Sequence, residues 1–294
     1  MVHASAALWI AYDVLREKQH LAQKSKALGY ATFSKSDLRQ PSVGSDTIFL
    51  LGSGSSVNQL SDGNFATIGQ NVSIGINAWA IHPFVPSAYS FEFSKTPGPP
   101  GPERRIMEEF LCRPQVLARS PALLFLRPAG TAAAARKFSL HPSLENQARI
   151  YGRFALPRNR AISISAEMRR IFRAYASGLI PSEILLDNGA SIARLLSMSL
   201  LSGFKRIVLV GVDLGGSEYF WQESSHISFD EEVISAFRRD RSPEHRTMEV
   251  GQRVVGIADF IGELSLIAMD QFQAEIFVGS NRSLLSKTLP VFNW

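Results

Sequence analysis

Short apolar runs recur along the chain, and each of them is too short for a helix and rich in β-branched or aromatic residues. Continuous runs of this kind are typical of strands that are buried on both faces of a sheet. Apolar residues between the runs recur at helical spacing, so strands and helices alternate. The pattern predicts an α/β fold, a mostly parallel Rossmann-like sheet with helices on both faces. The predicted strands cover residues 47–51, 72–76, 88–93, 122–126, 207–210 and 274–278.

The clearest helix–strand unit covers residues 185–216. Apolar spacing predicts a helix that begins at about Ala190 and ends at Gly203, and the strand 207–210 follows it. In open parallel sheets, ligands bind in the crevice beyond the carboxyl ends of the strands. We therefore expect ligand contacts at both ends of this unit, from Asn188, Gly189 and Asp213.

The pattern also divides the chain into segments. Residues 1–45 combine an amphipathic helix with a polar linker, and residues 46–294 form the α/β domain. Within that domain the pattern loosens at about 127–180, which predicts an insertion. A stretch of aromatic and polar residues at about 215–248 is too long for a plain connection, which predicts a lid over the ligand edge.

Small polar residues stand where the first two predicted strands end. Gly52, Ser53, Gly54 and Ser55 follow the first strand, and Asn77 follows the second. Glycines at such a point let the backbone approach a phosphate or a ribose, although a plain tight turn explains them equally well. The third glycine of a dinucleotide fingerprint and the GK[ST] of a P-loop are both absent from the sequence.

The 294 residues carry a formal net charge of +5, which suggests an anionic partner. The basic residues occur as scattered pairs without interleaved aromatic residues, so we expect no nucleic-acid binding. A peripheral contact with an anionic membrane surface stays open, as does a homo-oligomer. No apolar run reaches membrane-spanning length and no secretion signal opens the chain, so we expect a cytoplasmic protein. The single cysteine, Cys112, excludes an internal disulfide and a cysteine-built metal site.

Catalytic motifs of metal enzymes and serine hydrolases are missing from the sequence, and we expect neither a metal nor a cofactor. Two of the six histidines, His226 and His245, fall in or beside the predicted lid. An imidazole that titrates near neutral pH is suited to take a proton from a sugar hydroxyl. Either histidine could therefore act as a general base.

Five features together resemble one family of enzymes. They are GSGSS at 52–56, Ile76-Asn77, the block ASIARLLSMSLLSGFKRIVLVGVDL at 190–214, the aromatic lid, and NRSLL at 281–285. In this order they resemble the bacterial sialyltransferases that decorate lipo-oligosaccharide, glycosyltransferase family forty-two. More loosely, they resemble motility-accessory proteins with a related core.

The resemblance implies an enzyme of lipopolysaccharide biosynthesis that transfers sialic acid or a related keto-sugar from a CMP-sugar donor to a glycan or lipid-linked acceptor. Transfer would invert the anomeric carbon without a metal. Ser53 and Ser55 would lie against the phosphate and sugar of the nucleotide, and Asn77 would contact nucleotide and donor sugar. Ser191 matches the position that binds the carboxylate of the donor, which suits a helix N-terminus.

The resemblance also implies two catalytic residues. Tyr219 matches a lid tyrosine that steadies the leaving phosphate, and His245 matches the general base. The chain departs from the family at Gly215, where a second tyrosine is expected, and at Glu92, where an asparagine is expected.

Hypotheses from other functional classes stay open beside this one. A related core occurs in pterin pyrophosphokinases, which would need Mg²⁺ and clustered carboxylates such as Asp213, Glu92 and Asp187. Two further hypotheses are a factor that modifies flagellin or surface glycans and a non-catalytic nucleotide-binding module.

Overall fold

The computed structural model describes residues 2–39, 45–92, 108–118, 123–127, 140–156, 163–215, 219–223 and 255–294. Within these ranges the strands are β1 (Ala31–Thr32), β2 (Thr47–Leu51), β3 (Val72–Ile76), β4 (Ala88–Glu92), β5 (Leu123–Arg127), β6 (Ala148–Ile150), β7 (Gly152–Ala155), β8 (Ile184–Asp187), β9 (Arg206–Val210) and β10 (Glu275–Val278). None of the helices in these ranges is both long enough and apolar enough to cross a bilayer.

The α-helices labelled in the same ranges are α1 (Val2–Leu28), α2 (Lys35–Leu38), α3 (Asp62–Gly69), α4 (Pro114–Ala118), α5 (Pro142–Glu145), α6 (Ile164–Ala176), α7 (Ser191–Leu201), α8 (Phe220–Glu223) and α9 (Ile257–Ile267). Residues 108–111 are helical as well. Short 3₁₀ helices follow three of the strands, at Ser55–Gln59, Asn77–Ile81 and Leu284–Lys287. A π-helical turn, Ala268–Phe272, extends α9.

Eight strands form one parallel sheet in the order β1-β6-β5-β4-β3-β2-β9-β10. This architecture confirms the predicted fold class. The six predicted strands correspond to β2, β3, β4, β5, β9 and β10, with ends that differ by at most one residue. Continuous apolar sequence gave a reliable signal for these strands because both of their faces are covered.

The sheet has its topological switch point between β2 and β9. From β2 the chain moves outward through β3, β4, β5 and β6, then returns to place β9 on the other side of β2. The register aligns Thr47 with Arg206 and Leu51 with Val210, so β2 and β9 end at the same level. Ligands of open α/β sheets bind in the crevice that such a reversal opens.

Alternate side chains of the two central strands enter two separate apolar layers. Ile48 and Leu50 of β2 lie in the layer that contains α6, α7 and α9, whereas Phe49 and Leu51 lie in the opposite layer with Trp79 and Phe220. These four side chains are fully buried. Successive side chains of a strand point to opposite faces of the sheet, and both faces are covered here. A charged residue at any of these positions would therefore have a large desolvation cost.

The segment predicted as N-terminal helix and linker contains more than a helix. Helix α1 packs on β7 and β8, where the rings of Trp9 and Phe154 meet at 5.3 Å. Between the predicted helix and the predicted linker, β1 pairs with β6 at the sheet edge, and Asp37 of α2, within the linker, forms an ion pair with Arg149 at 3.1 Å. Residues 31–38 are therefore integrated with the α/β sheet.

The segment predicted as an insertion, 127–180, also contributes to the core. It supplies β6 to the main sheet, and it supplies β7, which pairs with β8 in a separate parallel ladder. Helix α6 follows and packs against α9. Of the predicted lid at 215–248, the structure describes Gly215 and residues 219–223.

Candidate functional site

The candidate site lies at the carboxyl edge of the sheet, around the loops that leave β2 and β9. These loops approach each other so closely that side chains are excluded between them. Gly52 N donates to Val210 O at 2.7 Å, and Gly54 N donates to Gly211 O at 2.8 Å. A Cβ at Gly52 would lie 2.6 Å from Gly211 O, and Gly211 itself has a φ of +64°. The glycines therefore join the two loops through their backbones.

Asp213 fixes the loop after β2, called here the Gly-Ser turn (residues 52–56). Its Oδ2 accepts from Ser56 N at 2.9 Å, and its Oδ1 accepts from Ser56 Oγ at 2.5 Å. A carboxylate that accepts from a backbone N–H and a hydroxyl forms charge-assisted bonds stronger than neutral ones. The structure thus shows Asp213 positioning the turn, and a direct contact between Asp213 and a nucleotide stays a prediction.

The loop after β10 closes the site from a third side. Leu284 N donates to Asp213 O at 2.8 Å, and Ser283 Oγ donates to Val212 O at 2.7 Å. Ser280 Oγ reaches across to Gln59 Oε1 at 3.1 Å. The loop after β10 is therefore connected to the segments that follow both β2 and β9, and the NRSLL part of it contacts the loop after β9.

Two residues of the predicted lid, Tyr219 and Phe220, are attached to the Gly-Ser turn. Tyr219 forms an antiparallel bridge with Gly54, and Phe220 N donates to Ser53 O at 3.0 Å. Asn58 Nδ2 donates to Phe220 O at 2.9 Å. Tyr219 stacks on Trp221 with ring centroids 4.5 Å apart. The structure thus brings Tyr219 into direct contact with the Gly-Ser turn, and the catalytic role of Tyr219 stays a prediction.

The rings of Trp79, His82 and Phe220 form a buried group next to Tyr219, called here the aromatic socket. His82 is the one histidine that is buried in the described part of the chain. Its ring stacks on Trp79 at 4.5 Å and meets the edge of Phe220 at 5.2 Å, and its Nδ1 accepts from Phe84 N at 3.0 Å. Burial, together with the nearby charge of Arg113, lowers the pKa of His82 from 6.5 to about 3. His82 is therefore neutral at physiological pH and acts as a packed hydrogen-bond acceptor.

Asn77 follows β3 directly and has an unusual backbone conformation, with a φ of +48°. Only a few per cent of non-glycine residues have a positive φ, and asparagine is enriched among them. Its side chain is partly exposed at the carboxyl edge of β3, the strand next to β2. The structure thus places Asn77 one strand away from the Gly-Ser turn.

The turn between β8 and α7, called here the 187–191 turn, contains the remaining predicted residues. Asp187 Oδ1 accepts from Gly189 N at 2.8 Å and from Arg194 Nη1 at 2.5 Å. Asn188 Nδ2 donates to Val255 O at 3.1 Å, which connects the turn to the residues before α9. Ser191 is the first residue of α7 and is partly exposed. Since α7 leads back into β9, its N-terminus lies at the same sheet edge as the Gly-Ser turn.

Other residues that the sequence analysis singled out lie outside the part of the chain that the structure describes. His226 and His245 lie outside the described residues, so the identity of the general base stays a prediction, and so does any role of the Glu92 side chain. The residues 219–223, 255–294 and the other described ranges contain no group of three potential metal ligands. Sequence reasoning missed three residues that position the site, which are Ser56, Asn58 and Arg194.

No protein-family model matches the chain, and no curated protein matches it either. Among solved structures, the chain is similar to the MAf glycosyltransferase from Magnetospirillum magneticum AMB-1, with 14% identity and a TM-score of 0.50. That likeness covers 94% of this chain but only 38% of the MAf protein, and it shows a shared fold.

Two sialyltransferase structures are also similar to the chain. The monofunctional alpha-2,3-sialyltransferase Cst-I from Campylobacter jejuni has 12% identity and a TM-score of 0.42, over 85% of this chain and 83% of that one. The sialyltransferase CST-II in complex with trisaccharide acceptor and CMP has 9% identity and a TM-score of 0.40, over 84% and 88% of the two chains.

Gly54→Ala tests the close approach of the loops. Gly54 has an ordinary φ of −68°, but a Cβ there would lie 2.3 Å from Asp213 Oδ2. We expect the extra methyl to destabilise the protein by about 1–3 kcal/mol in urea unfolding. Gly215→Ala is the matched control, because its Cβ would meet nothing closer than 3.5 Å, and its effect should stay within about 0.5 kcal/mol. Equal effects of the two substitutions would contradict the described geometry.

His82→Asn tests the aromatic socket, because an Asn Oδ1 can still accept from Phe84 N but does not titrate. The unfolded chain protonates this histidine near pH 6.5, whereas the folded chain does so at about 3. The unfolded state therefore binds more protons between these values, so stability is full above pH 6.5 and falls as the pH decreases toward 3. We expect the stability of the wild type to fall more steeply than that of His82→Asn, by at most about 1.4 kcal/mol per pH unit.

Urea unfolding at pH 7, 6 and 5 measures this difference. The exposed His141, which caps α5, provides a control variant, His141→Asn, in which a histidine is lost while the socket is untouched. Parallel pH profiles for the wild type and His82→Asn would refute the inference.

Proposed function

We propose that the chain is a glycosyltransferase that transfers sialic acid or a related keto-sugar from a CMP-sugar donor to a glycan or lipid-linked acceptor. Transfer inverts the anomeric carbon and needs no metal. One observation supports this proposal most directly. Asp213 and Tyr219 both contact the Gly-Ser turn, at the topological switch point between β2 and β9. The fold shared with the MAf glycosyltransferase is consistent with this assignment.

The nucleotide would lie against the Gly-Ser turn. The side chains of Ser53 and Ser55 are partly exposed there, and the 3₁₀ helix Ser55–Gln59 begins at this point. Hydroxyl groups and backbone N–H groups are suitable donors for phosphate and ribose oxygens. Asn77, one strand away, would contact the base or the donor sugar through its amide.

The acidic sugar would lie between the nucleotide and the N-terminus of α7. Ser191 presents its hydroxyl at that end, where the helix dipole favours a negative charge. The N-cap residue, Ala190, supplies no side-chain acceptor for the first N–H groups of the helix. A donor carboxylate would accept from these groups and would also balance the positive charge that develops at the anomeric carbon.

The reaction would be a direct displacement. His245 takes the proton of the acceptor hydroxyl, the new bond to the anomeric carbon forms, and the bond from that carbon to the phosphate of CMP breaks. Tyr219, held beside Gly54, and the Gly-Ser turn would stabilise the negative charge on the departing phosphate.

The surface of the protein suits an anionic, lipid-linked acceptor such as a lipopolysaccharide precursor. The net charge is +5, and α1 exposes Leu8, Tyr12 and Leu15 along one face. Exposed apolar side chains on a helix, in a protein of net positive charge, favour a peripheral contact with an anionic membrane. In this proposal the enzyme works at the cytoplasmic side of the inner membrane.

A Mg²⁺-dependent diphosphokinase is the competing assignment, and the described carboxylates do not favour it. Asp213 already accepts from Ser56, and Asp187 accepts from Arg194 and Gly189. Diphosphate transfer needs carboxylate oxygens that are available to Mg²⁺.

A nucleotide panel tests the proposal. We expect CMP to raise the stability of the protein in thermal-shift and calorimetric titrations, by about 2.7 kcal/mol at 100 times its Kd, with or without Mg²⁺. Ser53→Ala should weaken CMP binding, whereas Ser177→Ala, an exposed serine at the end of α6, should not. A preference for UDP or GDP would overturn the donor, and Mg²⁺-dependent ATP binding would favour the diphosphokinase.

Histidine variants test the general base. We expect His245→Ala to lower kcat/KM about 100- to 10,000-fold with CMP binding intact, because proton transfer from the acceptor is lost. His226→Ala is the comparison variant, and a larger effect there would assign the base to His226. Normal turnover in both variants would exclude a histidine base in the predicted lid.

A further inference from the structure

A buried arginine lies directly under the 187–191 turn. Arg194 is fully buried within the first turns of α7, among apolar neighbours such as Leu195 and Leu196. Its Nη1 donates to Asp187 Oδ1 at 2.5 Å, and its Nη2 donates to Ser191 Oγ at 3.4 Å. One guanidinium thus connects the residue that ends β8 with the residue that begins α7.

Stability alone is a weak reason for this arrangement. Moving a guanidinium out of water is costly, and a buried ion pair is often no more stable than apolar residues of similar volume. The first turn of a helix is also an unfavourable place for a cation, because the helix dipole is positive there. Burial lowers the pKa of Arg194 to about 9, so the side chain is still charged at neutral pH.

The contacts around the pair determine the shape of the turn. Asp187 Oδ1 accepts from Gly189 N as well as from Arg194, and Gly189 has a φ of +77°. Arg153 Nη1 lies 3.5 Å from the other oxygen, Oδ2. The planar guanidinium presents its donors in a rigid fork that fixes the positions of two acceptors, whereas the rotatable ammonium of lysine, on its flexible stem, fixes them less tightly.

We propose that Arg194 is a positioning residue for the donor sugar, which holds the Ser191 hydroxyl and the 187–191 turn in the geometry that receives an acidic group. The proposal rests on the glycosyltransferase function proposed above. The site then has two parts that are held by different contacts. The Gly-Ser turn is held by Asp213 and Ser56, and the 187–191 turn is held by Asp187 and Arg194.

Arg194→Lys keeps the charge but removes the fork. We expect calorimetry to show a Kd for CMP within about threefold of the wild-type value and a Kd for CMP-sialic acid raised tenfold or more. Arg149→Lys is the matched control, because Arg149 pairs with Asp37 at 3.1 Å at the other end of the sheet, on β6. It should leave both constants unchanged. An equal loss of CMP and CMP-sialic acid affinity in Arg194→Lys would overturn the proposal.

A double-mutant cycle tests whether Arg194 acts through Ser191. Ser191→Ala removes the hydroxyl, so adding Arg194→Lys to it should raise the Kd for CMP-sialic acid by less than Arg194→Lys does alone. Additive effects would show that Arg194 acts on the ligand by another route, which would overturn the positioning role.

Hydrogen exchange separates this proposal from the proposed function. If the wild type binds neither CMP nor CMP-sialic acid, the proposed function fails, and amide exchange still tests Arg194. We expect Arg194→Lys to speed exchange at residues 188–192 at least tenfold while residues 53–57 keep the wild-type rates. Uniform acceleration or no change at 188–192 would refute the positioning role.

Discussion

The contact between the loops that leave β2 and β9 is the constraint on which the rest of the site depends. Both strands end at the same level, and Gly52 and Gly211 bring the two backbones together without side chains between them. Because that approach is so close, Asp213 can reach Ser56, and the Gly-Ser turn acquires a fixed shape. Tyr219 and Phe220 of the predicted lid are attached to this turn, and the loop after β10 is attached to Asp213. The close contact between Gly52 and Gly211 thus organises the loops after β2, β9 and β10.

The two parts of the candidate site are held by different physical means. The Gly-Ser turn relies on backbone hydrogen bonds and one carboxylate at the rim of the sheet, where desolvation is incomplete. The 187–191 turn relies on the Asp187–Arg194 pair, in which both side chains are buried. Helix α7 and strand β9 connect these parts rigidly, since both belong to the core. A ligand that reaches both turns would therefore meet two prearranged surfaces rather than one flexible loop.

The sequence predicted the elements that carry strong local signals. The central strands are continuous apolar runs, and glycine, asparagine and aspartate marked their ends correctly as a common edge. Strands β1, β6, β7 and β8 were not predicted; they have two to four residues, and an arginine interrupts the apolar pattern of both β6 and β7. Ser56 looked like any serine of a turn, since its role requires the position of Asp213. Arg194 carried a usable signal, because a charge within an otherwise apolar helical face needs a buried partner.

The pairing of β1 with β6 has a consequence for how the chain folds. Ala31 pairs with Arg149, and the apolar face of α1, with Ile10 and Val14, packs against β7 and β8. These partners lie more than a hundred residues further along the chain, so ribosomal synthesis makes them on the order of ten seconds later. Contacts of such long sequence separation slow folding, because the loop must close before they form. During that interval the apolar face of α1 is uncovered, which makes the nascent N-terminal region a natural client for a chaperone.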